Sequence, residues 1–128
     1  MPKTTQIVLN LESKPGVLAK VARTLADAGV NMTALCAPET GGRGKIRLLV
    51  GDPARAKDAL KAAKYRFSEE QALTVLLENR PGTFAELAEK LARARVNIKC
   101  AYVTGESGQQ LVVLSVANAD KARQAIGG

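Results

Sequence analysis

Few of the residue types that do chemistry are present or usefully spaced in this chain. It contains no histidine, which excludes histidine-based triads, histidine metal sites and imidazole acid–base catalysis. Its two cysteines, Cys36 and Cys100, show no Cys-x-x-Cys spacing and have no histidine to activate a thiolate. Both fall in strand-like stretches, where a small, buried, apolar role is expected. No pair of carboxylates falls at a strand end beside a nucleophile. Gly41-Gly42-Arg43-Gly44 is glycine-rich, but a strand pattern follows it where a phosphate loop needs a helix, so a hairpin turn is expected. What remains is a set of groups that could hold a small polar molecule. "ESKPGV" at 12–17 and "ENRPGT" at 78–83 each end at the start of a helical pattern. Backbone N–H groups at Gly16-Val17 and Gly82-Thr83 favour an anion there, and glycine allows close approach. The Asn79 and Asn97 amides donate and accept. Donors for a carboxylate and acceptors for an ammonium are what an α-amino acid needs.

The two motifs stand 66 positions apart, and the similarity extends well beyond them. Over 11–31 against 77–97, 11 of 21 positions are identical without a gap, among them Leu11/Leu77, Pro15/Pro81, Gly16/Gly82, Leu25/Leu91 and Asn31/Asn97. The same offset pairs Ile46 with Val112, Leu48 with Leu114 and Val50 with Val116. The chain is two copies of one unit of about 65 residues. A unit that small is marginal alone, so the halves are expected to pack together.

Within each copy the hydrophobic period alternates between strand and helix values. Ile7, Leu9 and Leu11, and again Leu73, Val75 and Leu77, mark a half-buried strand. Leu18, Val21, Ala22 and Leu25, and again Phe84, Leu87, Ala88 and Leu91, mark an amphipathic helix. Gly29 suits a left-handed helix end; its counterpart is Arg95, so the two ends are expected to differ. Second strands are read at 31–37 and 97–104, with Met32/Ile98 and Ala34/Cys100 facing inward. Third strands follow at 45–50 and 110–116. Asp52-Pro53 and Asn118 begin second helices. Lys64–Phe67 reads as a fourth strand, whose counterpart would lie past residue 128. The expected fold is α+β: two ferredoxin-like βαββαβ units in tandem, the second lacking its last strand. That loss would expose an edge and favour association. Outward-facing Val8, Leu49, Leu76 and Val113 would make the far side of the sheet partly apolar.

Composition narrows the function. The chain is 46% hydrophobic and 24% charged, as a globular protein is. Its apolar runs fall far short of the roughly 20 residues of a membrane span, and no signal-peptide apolar region follows the first residues. Cytoplasm is the expected compartment, with no membrane partner. Net charge is +7, all of it on the first repeat: residues 1–66 hold 12 Lys/Arg and 5 Asp/Glu, and residues 67–128 hold 7 of each. Basic charge raises nucleic acid as a partner, but RNA modules of this plan stack bases on aromatics of the central strands. Ile7, Leu9, Ile46, Leu48, Leu73, Val75, Val112 and Leu114 fill those positions here, so nucleic acid is disfavoured.

"NLESKPGVLAKVARTLADAGVNM" at 10–32 and "LENRPGTFAELAEKLARARVNI" at 77–98 each resemble the ACT domain, a small-molecule sensing module. The resemblance covers nearly the whole chain, with domains at 1–68 and 69–128, and extends to short proteins made only of two tandem ACT domains. It implies a regulatory protein rather than an enzyme, with no cofactor or metal. It further implies an amino acid or similar metabolite bound where the loop after the first strand meets a neighbouring ACT unit, a homodimer, and an enzyme partner that is regulated. In the serine-sensing branch, a loop Asn and the Asn eighteen positions on contact the ligand. Asn79 and Asn97 match; repeat one has Ser13 and Asn31. That branch has a His two residues before the loop Asn, where this chain has Leu77 or Leu11, which argues against serine and for a more apolar contact. Lys14 and Arg80 could place a cation near a carboxylate. The implied ligand-binding set is therefore Ser13, Lys14, Gly16, Val17 and Asn31, with Asn79, Arg80, Gly82, Thr83 and Asn97. On this reading, Asn79→Ala and Asn97→Ala weaken binding with little loss of fold. The alternative is an ACT scaffold without a ligand, acting on an enzyme by protein–protein contact.

Overall fold

The strand that Ile7, Leu9 and Leu11 announce is β1 (Lys3–Glu12). In the computed structural model, which describes residues 3–127, the chain continues through α1 (Val17–Asp27), β2 (Met32–Cys36), β3 (Glu39–Thr40), β4 (Arg43–Val50) and α2 (Pro53–Ala62). The second repeat is β5 (Ser68–Glu78), α3 (Thr83–Arg93), β6 (Ile98–Glu106), β7 (Gln109–Val116) and α4 (Ala119–Ile126). This is the α+β, split βαβ plan written twice. Among the described residues no strand follows α4.

The described residues divide into two compact units, Gln6–Glu69 and Glu70–127, the latter including also residues 3–5. In the first unit the antiparallel strands run β2-β4-β1, with β3 pairing β4. Leu9 stands opposite Ile46 and Leu11 opposite Gly44. In the second unit the order is β5-β7-β6, with Val75 opposite Val112 and Leu77 opposite Gln110. The alternating residues point at the helices and form the cores. Ile7, Leu9, Ile46 and Leu48 pack on Val21, Leu25 and Leu60. Leu73, Val75, Val112 and Leu114 pack on Leu87, Leu91 and Ala122. The helix stripes read from sequence are the stripes buried.

The Pro-Gly motif has a defined local geometry. Val17 N–H bonds to Lys14 O at 3.3 Å across Pro15-Gly16, and Gly16 has φ +91°. Thr83 N–H lies 3.5 Å from Arg80 O, and Gly82 has φ +93°. Proline at the second place and a positive-φ glycine at the third make a type II turn. Gly16 and Gly82 are then the N-caps of α1 and α3. Neither helix has a side-chain cap, whereas Asp52 caps α2 through Arg55 N–H and Asn118 caps α4 through Lys121 N–H. A third acceptor, Gln71 Oε1, takes Ala119 N–H at 3.0 Å.

Several expectations are corrected. The ends of α1 and α3 do not differ. Arg95 adopts φ +58° beside Gly29 at +74°, and Val96 N–H reaches Leu91 O as Val30 N–H reaches Leu25 O, both at 2.9 Å. Burial of Val96 and its hydrogen bond hold Arg95 in a conformation that costs about 1–2 kcal/mol for a residue with a Cβ. No strand forms at Lys64–Phe67. Lys64 is left-handed at φ +65° and closes α2 in the same way, with Tyr65 N–H on Leu60 O. Tyr65 and Phe67 pack on the first core. Extended pairing starts at Ser68, and Ser68-Glu69 stand in the first unit where the plan has its last strand. Lys57 Nζ reaches Glu69 at 3.2 Å from α2. Met32 does not face inward but is exposed, beside a register shift between Met32 and Ala34. On the far face Val8, Leu49 and Val113 are buried within the chain; only Leu76, 65% exposed, stays outward as expected. Cys36 and Cys100 are half-buried, and neither forms a disulfide.

Candidate functional site

The loop after β1 and the start of α1 face the end of β4 and the connection from β2. Strand pairing dictates this, because Glu12 sits opposite Arg43 and Ser13 N–H bonds to Gly42 O at 2.8 Å. Between these pieces lies a pocket of about 120 Å³ lined by Leu11, Ser13, Val17, Leu18, Ala37, Gly44 and Ile46, with Glu12 and Lys14 at its rim. Its walls are aliphatic and its mouth is polar. Ser13 Oγ donates to Glu39 Oε2 at 2.8 Å. Lys14 Nζ lies 3.5 Å from Glu12 Oε2. A wider depression of about 450 Å³ runs on from it past Pro15, Gly16 and Lys20 to Tyr65. Glu39 was missed in the sequence reading; Pro38, which cannot donate to a ladder, breaks the strand before it and turns it back to pair as β3.

The matching region of repeat two is built from other side chains. Asn79 N–H bonds to Gly108 O at 2.9 Å, as Ser13 N–H does to Gly42 O. The Asn79 amide then lies on the backbone of Gly105, so close that a Cβ there would sit 3.0 Å from Asn79 Oδ1 and Nδ2. Asn79 Oδ1 accepts from Gln110 Nε2 at 3.1 Å, and Gln110 Oε1 is buried without a partner. Arg80 Nε donates to Glu78 Oε2 at 2.6 Å. That hydrogen bond, then the charge of Glu78, raises the Arg80 pKa further above its ordinary value. Thr83 Oγ1 is 2.8 Å from Glu78 O and 3.1 Å from Arg80 O, so its hydroxyl fastens the turn. A second depression of about 250 Å³ is lined by Leu77, Arg80, Thr83, Glu86, Lys90 and Ile126.

The structure brings Ser13, Lys14 and Val17 to one pocket, beside Gly16, and gathers Asn79, Arg80, Gly82 and Thr83 in one loop. It does not bring the later asparagines to them. Asn31 O accepts from Gly51 N–H, and Asn97 O accepts from Ala117 N–H. These lie at the far end of each sheet. Six residues of β5 lie between Ala72 and Asn79, and Ala72 pairs with Ser115 near Asn97, so the seven steps span roughly 23 Å at about 3.3 Å per residue. Within one unit, one small molecule cannot touch both asparagines. Both loop cations are also engaged by carboxylates of their own repeat, and the N–H groups of Val17 and Thr83 close the turns, so the donors left for an anion are the uncapped N–H groups that follow these two in each helix start.

Among the described residues no cluster of three or more His, Cys, Asp or Glu could hold a metal ion. No helix of the described chain is long and apolar enough to cross a membrane. The family model for the ACT domain pair matches residues 3–127. The chain belongs to the ACT domain family as a tandem pair. It is similar to a protein from Bacteroides thetaiotaomicron at TM-score 0.91 and 29% identity, over 97% of this chain and 86% of that one. It also resembles the regulatory subunit of aspartate kinase from Thermus thermophilus, crystallised ligand-free, at TM-score 0.70 and 19% identity over 98% and 93% of the two chains. A third likeness is to a putative C-terminal regulatory domain of aspartate kinase from Porphyromonas gingivalis, at TM-score 0.59 and 10% identity over 98% and 94%. The last two show the fold alone. A search of curated proteins finds no match. The ACT pair is an architecture typical of small-molecule regulatory binding.

Proposed function

We propose that this ACT pair is an amino-acid sensor that regulates an enzyme. The observation that carries this reading is the pocket of about 120 Å³ beside an α1 start with no side-chain cap. Uncapped N–H groups supply donors for a carboxylate. Glu39 and Glu12 supply acceptors for an ammonium. Aliphatic walls take a side chain. The ligand lies at the loop after the first strand and bridges to an ACT unit of a second copy, whose second strand begins at Asn31 or Asn97. Such a bridge fits the separation of loop and asparagine within one unit, and it makes the working state a homodimer. Binding shifts the population of two arrangements of the assembly by the difference in affinity for them, and an enzyme partner in the cytoplasm reads that shift. Two of the three structures named above are described as regulatory parts of aspartate kinase, one of them putatively.

A thermal-shift screen against the twenty amino acids tests this. One or two of them raise the melting temperature selectively. At a hundred times the dissociation constant the gain is about 2.7 kcal/mol. A flat response to all twenty sinks the sensor reading.

A further inference from the structure

The two repeats are not equivalent at the loop. We infer that the first repeat alone binds the ligand's side chain, because the second repeat fills the corresponding space with Asn79 and Gln110, and that this side chain is aliphatic. The inference rests on the sensor reading and says which of the two loops does the work.

The 66-residue offset allows each lining position to be compared with its counterpart. Strand registers agree with that offset, since Cys36 pairs Arg47 and Tyr102 pairs Val113. Leu11 and Glu12 recur unchanged as Leu77 and Glu78. Where the first repeat has Ser13, Leu18, Ala37 and Gly44, the second has Asn79, Phe84, Val103 and Gln110. Each of these replacements is larger. Ile46 against Val112 loses a methylene, and Val17 against Thr83 exchanges a methyl for a hydroxyl.

The replacements work together. Gly44 stands opposite Leu11 on the helix-facing side of β4, and Gln110 stands opposite Leu77 on the same side of β7. From there Gln110 Nε2 reaches Asn79 Oδ1. Asn79 in turn needs Gly105, because a Cβ at that position would crowd its amide at 3.0 Å. The first repeat has Glu39 where the second has Gly105, and Ser13 donates to Glu39 at the rim, leaving the space above Gly44 clear. So the second repeat has exchanged a serine, a glutamate and a glycine for an asparagine, a glycine and a glutamine that close on one another. Gln110 Oε1, the acceptor left over, is buried; a ligand cannot reach it while the Asn79–Gln110 pair stands.

The pocket that stays open sets the side chain. At about 120 Å³ it is narrower than the depression of about 450 Å³ beside it. Its walls, Leu11, Val17, Leu18, Ala37 and Ile46, offer no hydrogen-bonding side-chain group. Valine, leucine and isoleucine fit that description. An aromatic ring is larger than any of these, and a lysine or aspartate side chain would lie against those walls without a partner.

Isothermal titration of the full chain with valine, leucine, isoleucine, phenylalanine, lysine and serine tests the inference, with the melting temperature of each unliganded variant as a fold control. Wild type is expected to bind one or more of the three aliphatic amino acids at one per chain and not phenylalanine or lysine. Gly44→Gln puts the second repeat's side chain into the first repeat's pocket. Its Cβ meets Leu11 O at 3.9 Å, ordinary contact, so the strand tolerates it. Affinity falls at least tenfold. Ala37→Leu fills the same space from the other wall and gives the same loss. Val103→Leu, the matching change in the second repeat, binds within twofold of wild type. Two ligands per chain, or binding lost in Val103→Leu and kept in Gly44→Gln, overturns the inference while leaving the sensor reading intact. Tight binding of lysine or phenylalanine overturns the aliphatic assignment. No binding of any amino acid by wild type removes the sensor reading and the inference with it.

Discussion

Three residues that carry a side chain sit where backbone geometry asks for glycine. Lys64, Arg95 and Ser107 have φ of +65°, +58° and +51°. Arg95 occupies the position that Gly29 holds in the first repeat. Arg95→Gly therefore relieves a Cβ clash of about 1 kcal/mol, and a urea melt should show a midpoint shifted upward with an unchanged slope. An unchanged or lower midpoint would mean that the Arg95 side chain contributes more than the backbone loses. Gly82→Ala runs the opposite way. The type II turn holds that residue at φ +93°, so stability should drop by about 1–2 kcal/mol. Crowding gives a third residue-scale test. Gly105→Ala pushes Asn79 off its platform and breaks the Gln110–Asn79 hydrogen bond, at a net cost of about 1 kcal/mol. The Asn79 side-chain amide resonances should then move in the nitrogen–proton spectrum; if they keep their positions, the contact with Gly105 is not made in solution. How a helix end would close was hard to read from the residue alone. Arginine is a poor left-handed residue, yet the Leu91–Val96 pairing overrides the preference. The pocket contrast was in the sequence as Gly44 against Gln110. Its meaning needed the register that places both beside the loop.

Helices were the elements most open to sequence reading, and their caps explain why. Asp52 accepts Arg55 N–H at 3.1 Å and Asn118 accepts Lys121 N–H at 3.0 Å, both local interactions that short-range sequence specifies. Asp52→Ala and Asn118→Ala should each lower stability by about 1 kcal/mol, measured by chemical denaturation. Losses well below that would mean that Gln71 and packing hold α4 without its cap. The long strand was less legible. Tyr65 and Phe67 carry strand-like character, but they earn their burial by packing on the first core after α2 has closed at Lys64. The pairing that starts at Ser68 depends on partners distant in sequence. In the cores, Leu25 and Leu91 occupy equivalent, fully buried places. Truncation of either to alanine should cost about 2–5 kcal/mol.

At the scale of the whole molecule, duplication was read directly, since 11 of 21 positions agree between the two motif regions. Division of labour between the copies was not, because it arises from side chains that face each other only after folding. Sedimentation equilibrium should return twice the 13.5 kDa chain mass, as the proposed bridging of two copies requires; a single-chain mass at micromolar concentration would remove the second copy from the site. The start of β1 gives the molecule one further property. Residues 3–5 belong to the second compact unit although they precede the first, so the borders of the ancestral cassette are not the borders of the folded bodies. Expression of residues 69–128 alone would omit a piece of their own unit. A gene that doubles in this way cannot later be split at the seam it was joined on.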